Sequence, residues 1–311
     1  MTVRDIAQRM NVSLSTVNKA LTGKPGISEQ RRGEIEPFDK AFPGRLYNVG
    51  VAEQNMTGVA CGMAMEGNIC ITYSIANFPT LRCLEQIRND VCYHNQNVKI
   101  VIIGGGVSYG PLGVSHHSTE DIAIMRALPN IVVIVPCDNY EAEAATHAMI
   151  EHQGPVYYRC GYKNESDIHE SPIKFEIGKS IPVSDGKDLA IFFTGPIGYD
   201  AKIAAKKLEA EGYSIRLVSM HSIKPIDKEE IVYSSKNIGR ILTVEEHNLS
   251  GGLGSAVAEV LADEGCICKF KRMALPDVNV SKVSSQQWLR EQYGLGVNDI
   301  YNAAKAMIEE K

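Results

Sequence analysis

The sequence contains no apolar run that approaches the roughly 20 residues a membrane-spanning helix needs. It does not open with a basic stretch followed by an apolar one, the pattern of a secretory leader. Internal repeats and low-complexity tracts are missing too, which argues against solenoid and propeller folds. We therefore expect a cytoplasmic protein that does not associate with membranes. The length of 311 residues predicts two ordinary domains and a small appendage.

Cysteine pairs with the spacing of a metal site are also missing. The eight cysteines are scattered through apolar segments, and none forms a Cys-x-x-Cys pair. Cys266 and Cys268 would point to one face of a strand, where two small core residues are the commoner explanation. We therefore predict that the chain holds no metal through its own residues, and that its free thiols belong in a reducing compartment.

The chain as a whole has no excess of basic residues, since its formal net charge is −5. The exception is residues 1–33, where six basic residues stand against two acidic ones. Three short helices are predicted there, with a turn at residues 11–13 and a break at residues 23–26. A helix, a tight turn and a second helix with a basic excess are the outline of a helix-turn-helix DNA-binding motif.

The same region contains TVRDIA at residues 2–7, VSLSTVNKAL at residues 12–21 and GKPGIS at residues 23–28. In sequence and order these segments resemble the headpiece of the LacI family of repressors. The resemblance covers about a tenth of the chain, and the hinge helix and sensor domain of that family do not follow it. It implies that residues 14–19 face the major groove of DNA, with these contact residues: Ser15, Thr16, Asn18 and Lys19.

From residue 38 the pattern changes to apolar strands alternating with helices, which is typical of an α/β fold with parallel sheets. The first unit is predicted to have strands at residues 46–51, 68–74, 98–103, 131–135 and 156–159, and helices at residues 56–65, 84–95, 122–127 and 139–152. A polar linker is predicted at residues 163–185. The second unit, residues 186–311, is predicted to have strands at residues 189–193, 214–219, 238–244 and 266–273, and helices at residues 199–211, 226–235, 255–263, 285–293 and 297–310.

A single carboxylate, Glu53, stands between the first predicted strand and the first predicted helix of this α/β region. Open α/β sheets bind ligands at such places. A carboxyl group walled by Val51, Met56 and Ala60 would have a raised proton affinity, and it could share a proton with a ring nitrogen of a cofactor. An acid at a helix N-terminus can equally cap that helix, so both roles stay open on the local pattern.

Four segments occur in order along this region: GVAEQNM at residues 50–56, EQIRND at 85–90, GPLGVSHH at 110–117 and VEEHNLSGGLGS at 244–255. Together they resemble the C-terminal subunit of split transketolases. They are more distantly similar to deoxyxylulose-phosphate synthases and to the β subunits of 2-oxoacid dehydrogenases. The resemblance implies a pyrimidine-binding (Pyr) domain at residues 34–162 and a transketolase C-terminal domain at residues 186–311.

The resemblance also implies roles for individual residues. Glu53 takes the place of the glutamate that hydrogen-bonds a ring nitrogen of the thiamin aminopyrimidine. His116 matches the active-site histidine that hydrogen-bonds the substrate, a task that suits a side chain titrating near neutral pH. Phe78 is expected to stack on the aminopyrimidine, with Tyr73 as the alternative and core packing as the plainer explanation.

Further interpretations concern phosphate binding. Arg82 and Arg159 are candidates for binding a sugar phosphate, although a solvated surface arginine is the default. The glycine-rich segment at residues 251–254 could form an anion-binding nest before a helix. In the resembled family this segment serves packing and dimer contacts, and Glu246 and His247 are expected to be structural.

Two elements of the resembled family are missing. No segment resembles the diphosphate-binding (PP) domain, which holds Mg²⁺ and the diphosphate of thiamin diphosphate. The resemblance therefore implies a separate N-terminal transketolase subunit that holds both groups, homodimerisation through the Pyr and C-terminal domains, and an assembly of two copies of each chain. The first Pyr strand should precede residue 34, and its loss would leave backbone groups unpaired at a sheet edge.

The leading hypothesis is thus a transketolase-type subunit that transfers a two-carbon ketol unit between phosphosugars with thiamin diphosphate and Mg²⁺. The alternatives are a DNA-binding protein that acts through residues 1–33 and a catalytically inactive fusion.

Overall fold

The computed structural model describes residues 37–162 and 165–310. The predicted headpiece at residues 1–33 lies outside the described residues. Its three helices and its four DNA-contact residues, Ser15, Thr16, Asn18 and Lys19, therefore stay predictions.

Residues 37–41 are helical, and residues 45–50 have no regular secondary structure. The strand predicted at residues 46–51 is therefore wrong. The side chains there are largely exposed, and Val51 is 93% exposed. An apolar segment becomes a strand only where a neighbouring strand takes up its backbone N–H and C=O groups.

Between residues 53 and 160 strands alternate with helices as predicted, except that the helix at Asn77–Leu81 was not predicted. The strands up to residue 160 are β1 (Cys70–Ile75), β2 (Val98–Ile103), β3 (Val132–Ile134) and β4 (Val156–Cys160). The helices are α1 (Glu53–Met65), α2 (Asn77–Leu81), α3 (Leu84–Gln86), which continues as a π-helical turn at Ile87–Cys92, α4 (Asp121–Ala127) and α5 (Asn139–Glu151). Two 3₁₀ turns, Gly110–Leu112 and Val114–His116, lie between β2 and α4.

The second half contains six strands and five helices among the described residues. The strands are β5 (Ile181–Ser184), β6 (Leu189–Thr194), β7 (Ile215–Ser219), β8 (Ser222–Lys224), β9 (Arg240–Asn248) and β10 (Lys269–Leu275). The helices are α6 (Gly198–Ala210), α7 (Lys228–Asn237), α8 (Leu253–Asp263), α9 (Gln286–Gln292) and α10 (Val297–Glu309).

These strands form two five-stranded sheets, in the orders β1-β2-β4-β3-β8 and β10-β9-β6-β7-β5. Every pairing is parallel except β3 with β8 and β5 with β7. The central strands are mostly apolar and buried, as strands with helices on both sheet faces must be, and Lys99 is the one charged residue of β2. Among the described residues β1 pairs with β2 alone, so it is an edge strand of the first sheet.

Two strands contradict the predicted boundaries. The predicted linker at residues 163–185 contains β5, which joins the edge of the second sheet. Strand β8 was not predicted at all, and it completes the first sheet although it follows three strands of the second half. Both are short edge strands, which carry too few residues for an alternation pattern to identify them.

The two sheets share a core. One cluster of buried apolar residues includes Ile100 and Ile122 from the first half together with Phe192, Ile241 and Val257 from the second. The two halves are therefore packed against each other through apolar side chains. No helix within the described part of the chain has the length and apolar character needed to cross a membrane.

Candidate active site

The candidate site lies where β1 and β2 end. These strands are parallel neighbours, so their carboxyl ends meet at one edge of the first sheet. Asn77 and Phe78 follow β1 after one intervening residue, and the glycines at residues 104–106 follow β2 before the chain continues to His116. The structure thus places two predicted site residues at the edge of the sheet where ligands bind in α/β folds.

Phe78, Arg82 and His116 come together at this edge. The ring centre of Phe78 lies 5.3 Å from that of His116, with the rings at 71° in an edge-to-face arrangement. The guanidinium carbon of Arg82 lies 4.9 Å from the centre of the Phe78 ring. Phe78 and His116 are half-buried and Arg82 is exposed. An aromatic ring, an imidazole and a cation therefore share one accessible surface.

Local hydrogen bonds hold the imidazole of His116. Its Nδ1 lies 3.0 Å from Oγ of Ser115. The side-chain amide of Asn77 donates a 2.8 Å hydrogen bond to the backbone carbonyl of Ser115, which ties the turn to the end of β1. The ring centre of Tyr109 lies 6.1 Å from that of His116. The position of His116 is therefore set by residues that follow both strands.

Arg159 lies in a different environment from Arg82. It is only 3% exposed, and its Nε donates a 2.7 Å hydrogen bond to the carboxylate of Asp121. Its Nη2 donates to the backbone carbonyls of Ser118 and Glu246. Because a buried guanidinium with these partners supports the fold, the geometry favours Arg82 over Arg159 as a phosphate ligand.

Glu53 is the first residue of α1, and its side chain is half-buried. The apolar wall predicted around it is incomplete, because Val51 is 93% exposed and belongs to no strand. Tyr73, the alternative to Phe78, lies within β1 and is 38% exposed.

His117 differs from its neighbour His116. It is only 4% exposed, and neither of its ring nitrogens has a hydrogen-bond partner among the described residues. Burial lowers the pKa of His117, and the nearby carboxylate of Glu246 offsets this in part. His117 is therefore a neutral, buried side chain, whereas His116 remains accessible.

The predicted anion nest at residues 251–254 is filled by the protein itself. The carboxylate of Glu245 accepts hydrogen bonds from the backbone N–H groups of Leu253 (2.7 Å) and Gly254 (2.8 Å) at the start of α8. Gly252 permits this approach, because a Cβ there would lie 1.9 Å from a Glu245 oxygen. Burial raises the pKa of Glu245, and these hydrogen bonds and His247 counteract the rise. The segment therefore caps α8 internally.

One buried group of potential metal ligands occurs among the described residues. Donor atoms of Cys137, Asp138 and His169 lie within 4.8 Å of one another. The Asp138 carboxylate already accepts hydrogen bonds from the backbone N–H groups of Glu141, Ile168 and His169. His169 also lies 3.0 Å from a Glu141 oxygen. Hydrogen bonding at the start of α5 therefore accounts for this arrangement without a metal.

Sequence reasoning missed the residues that fix this part of the fold from a distance: Asp121, Gln286 and Arg290. Asp121 pairs with Arg159, and Arg290 pairs with Glu246 and Asp200. The partners are separated by 38 to 90 residues in the chain. No local pattern connects residues so far apart.

Comparison with known proteins identifies the family of this chain. The model of the transketolase pyrimidine-binding domain matches residues 12–164, and that of the transketolase C-terminal domain matches residues 178–300. The first match begins inside the predicted headpiece at residues 1–33. Together the two matches take in both sheets, so this chain belongs to the transketolase family.

Individual relatives support this conclusion. An apulose-4-phosphate transketolase subunit of Actinobacillus succinogenes is 36% identical, over 94% of this chain and 95% of its own length. A putative transketolase C-terminal section of Methanocaldococcus jannaschii is 43% identical, over 88% of this chain and 85% of its own length. One similar solved structure is described as a split-gene transketolase, inactive beta4 tetramer. It is 40% identical in sequence and superposes with a TM-score of 0.80, and the match covers 89% of this chain and 88% of that chain. The prediction of a transketolase-type subunit with two α/β sheets is thus confirmed.

Proposed function

We propose that this chain is the C-terminal subunit of a split transketolase and transfers a two-carbon ketol unit between phosphosugars with thiamin diphosphate. The observation that carries the proposal is the grouping of Phe78, Arg82 and His116 at the carboxyl ends of β1 and β2 in a member of this family. The set combines an aromatic face, an imidazole and a cation, which suit a cofactor ring, a sugar oxygen and a phosphate.

Taken one by one, the side chains of Phe78 and Glu53 have the chemistry that the aminopyrimidine half of thiamin diphosphate needs. The half-buried ring of Phe78 offers a stacking surface, and the half-buried carboxylate of Glu53 can hydrogen-bond a ring nitrogen. When bound, thiamin diphosphate supplies the electron sink for breaking a ketose carbon–carbon bond. The N-terminal partner holds the diphosphate and Mg²⁺ in this proposal.

The chain's own residues would then bind, orient and move a proton. Glu53 shares a proton with the pyrimidine nitrogen, which a carboxyl group can do in either protonation state. His116 hydrogen-bonds a hydroxyl or carbonyl of the sugar, with Ser115 holding its Nδ1. Arg82 would pair with the sugar phosphate, and its contact with Phe78 would keep it close to a ring that stacks there.

We further propose that activity requires a separate N-terminal subunit and an assembly of two copies of each chain. The names of two relatives, a transketolase subunit and a C-terminal section, support a divided enzyme. The similar solved structure is described as an inactive tetramer of β chains, which supports the idea that C-terminal subunits alone lack activity. Residues 34–162 and 186–311 would serve as the Pyr and C-terminal domains in this assembly.

The test is reconstitution with an N-terminal subunit of a split transketolase. Ketol transfer is measured with a panel of phosphoketoses and phosphoaldoses, with and without thiamin diphosphate and Mg²⁺. We expect cofactor-dependent transfer by the mixture and none by this chain alone. Glu53→Ala should abolish transfer, whereas Glu66→Ala, an exposed residue just after the same helix, should leave it unchanged. Full activity of Glu53→Ala would refute the assigned role, and an inactive mixture would refute the proposed function.

A further inference from the structure

The loop that carries His116 closes on itself at its base. Gly106 and Ser118 exchange two backbone hydrogen bonds, of 2.8 and 2.9 Å, and so form an isolated β-bridge. Residues 107–117, named the His116 loop here, lie between them. The position of the whole loop therefore depends on what holds this base.

Glu246, from β9 of the second sheet, holds the first residue of the His116 loop. Its side chain is 5% exposed, and one carboxylate oxygen accepts a 2.7 Å hydrogen bond from the backbone N–H of Val107. Gly106 permits this contact, because it has a φ of +67° and a Cβ there would lie 2.3 Å from that oxygen. The approach of Glu246 thus depends on a glycine at the base of the loop.

The same stretch of β9 holds the other end of the loop. The backbone carbonyl of Glu246 accepts a 3.1 Å hydrogen bond from Nη2 of Arg159, which also donates to the carbonyl of Ser118 at 3.0 Å. Two residues further on, the N–H of Asn248 donates to the carbonyl of Thr119 at 2.8 Å. Both ends of the His116 loop are therefore attached to one strand of the second sheet.

Residues of α9 keep the carboxylate of Glu246 in place. Its second oxygen pairs with Nε of Arg290, which in turn pairs with Asp200. The side-chain amide of Gln286 donates to both oxygens of Glu246 at 3.1 Å and to the hydroxyl of Ser108 at 3.0 Å. A buried carboxylate is stable only when such donors surround it, so these residues make the position of Glu246 rigid.

We propose that Glu246 is a positioning residue, which attaches the His116 loop to the second sheet and so fixes the place of His116. The effect on catalysis rests on the proposed function, whereas the attachment itself does not. A side chain that orients a catalytic group has large effects, because a displacement of about 1 Å at the reacting atoms can cost about 100-fold in rate.

The test compares three variants of the full chain with its N-terminal subunit. Glu246→Ala removes the carboxylate that binds the N–H of Val107. Gln286→Ala removes a half-buried amide that donates hydrogen bonds to this carboxylate. Glu259→Gln is the matched control, because its 2.6 Å ion pair with Arg126 also joins the two halves but lies outside the loop. The measurements are hydrogen exchange of residues 107–117 followed by mass spectrometry, kcat, KM and the melting temperature.

We expect hydrogen exchange in the His116 loop to become at least about tenfold faster in Glu246→Ala. The loss of one buried hydrogen bond changes the equilibrium constant for local opening by about tenfold. Gln286→Ala should show a smaller increase at an unchanged melting temperature, and its kcat should fall while KM for the phosphosugar stays near that of the wild type. Glu259→Gln should change neither exchange nor kcat.

Two results would overturn the proposal. One is a folded Glu246→Ala variant in which residues 107–117 exchange as slowly as in the wild type. The other is an unchanged kcat in both Glu246→Ala and Gln286→Ala. If Glu246→Ala does not fold, Gln286→Ala decides the question by the same two readouts. A wild-type mixture without ketol transfer would refute the proposed function alone. Hydrogen exchange would still decide whether Glu246 attaches the loop.

Discussion

Lys99 provides a sharp test of the physical reasoning, because its ammonium group is buried without a carboxylate partner among the described residues. The residue is 0% exposed, and its Nζ donates 2.7 Å hydrogen bonds to the backbone carbonyls of His152 and Gly154. Burial lowers the pKa of Lys99 from 10.5 to about 8. At about 1.4 kcal/mol per pKa unit, this shift corresponds to about 3 kcal/mol of stability.

The sign follows from proton binding. Between pH 8 and 10.5 the unfolded chain holds the Lys99 proton more tightly than the folded chain, so the free energy of unfolding rises with pH. Below about pH 8 the lysine is charged in both states, and the cost of burying the charge is fully present. Above about pH 10.5 the amine is neutral in both states and still donates two hydrogen bonds, so that cost is gone.

The assay is urea unfolding of the wild type and Lys99→Met at several pH values from 7 to 11. The free energy of unfolding of the wild type, minus that of Lys99→Met, should increase by about 3 kcal/mol across this range. The exposed Lys271→Met variant on β10 is the control and should show no such increase. A difference that stays flat with pH for Lys99→Met would refute the argument that burial controls this lysine.

Two further predictions concern binding. Arg82→Ala should raise KM for the phosphosugar about tenfold or more with little change in kcat, because an exposed cation that pairs with phosphate contributes binding energy. Steady-state kinetics of the reconstituted enzyme check this, and an unchanged KM would exclude Arg82 as the phosphate ligand. If residues 1–33 form a DNA-binding headpiece, the full chain should bind DNA in a salt-dependent way, and Lys19→Ala should weaken binding. The absence of a mobility shift at low salt would show that the headpiece prediction is wrong.

Long, strongly apolar strands were predictable from the sequence. The run at residues 98–103 was expected as a buried strand, and β2 has these bounds. Such a strand is rich in apolar residues because helices cover both faces of the sheet, so it can be recognised from its own residues. The segment at residues 46–51 also contains several apolar residues, but no strand forms there. Its conformation depends on a neighbour, which its own residues do not specify.

The candidate site was predictable where a motif carries it. His116 was expected from a family motif and Phe78 from its aromatic ring, and the structure brings their ring centres to 5.3 Å, while their roles stay predictions. The attachment of the His116 loop by Glu246 was not predictable, because Val107 and Glu246 are 139 residues apart. The glycine-rich segment at the start of α8 was ambiguous for a related reason: the anion that it binds is the carboxylate of Glu245, from the preceding strand.

The sequence by itself determined the family, the order of most strands and helices, and the residue types of the candidate site, because these depend on local motifs and on periodicity. The tertiary structure alone decided which of two arginines is accessible, which histidine of the adjacent pair is buried, and which strand of the second half completes the first sheet. Burial and long-range pairing are properties of the packed chain as a whole. No single segment specifies them, because each depends on the partner that the fold places beside it.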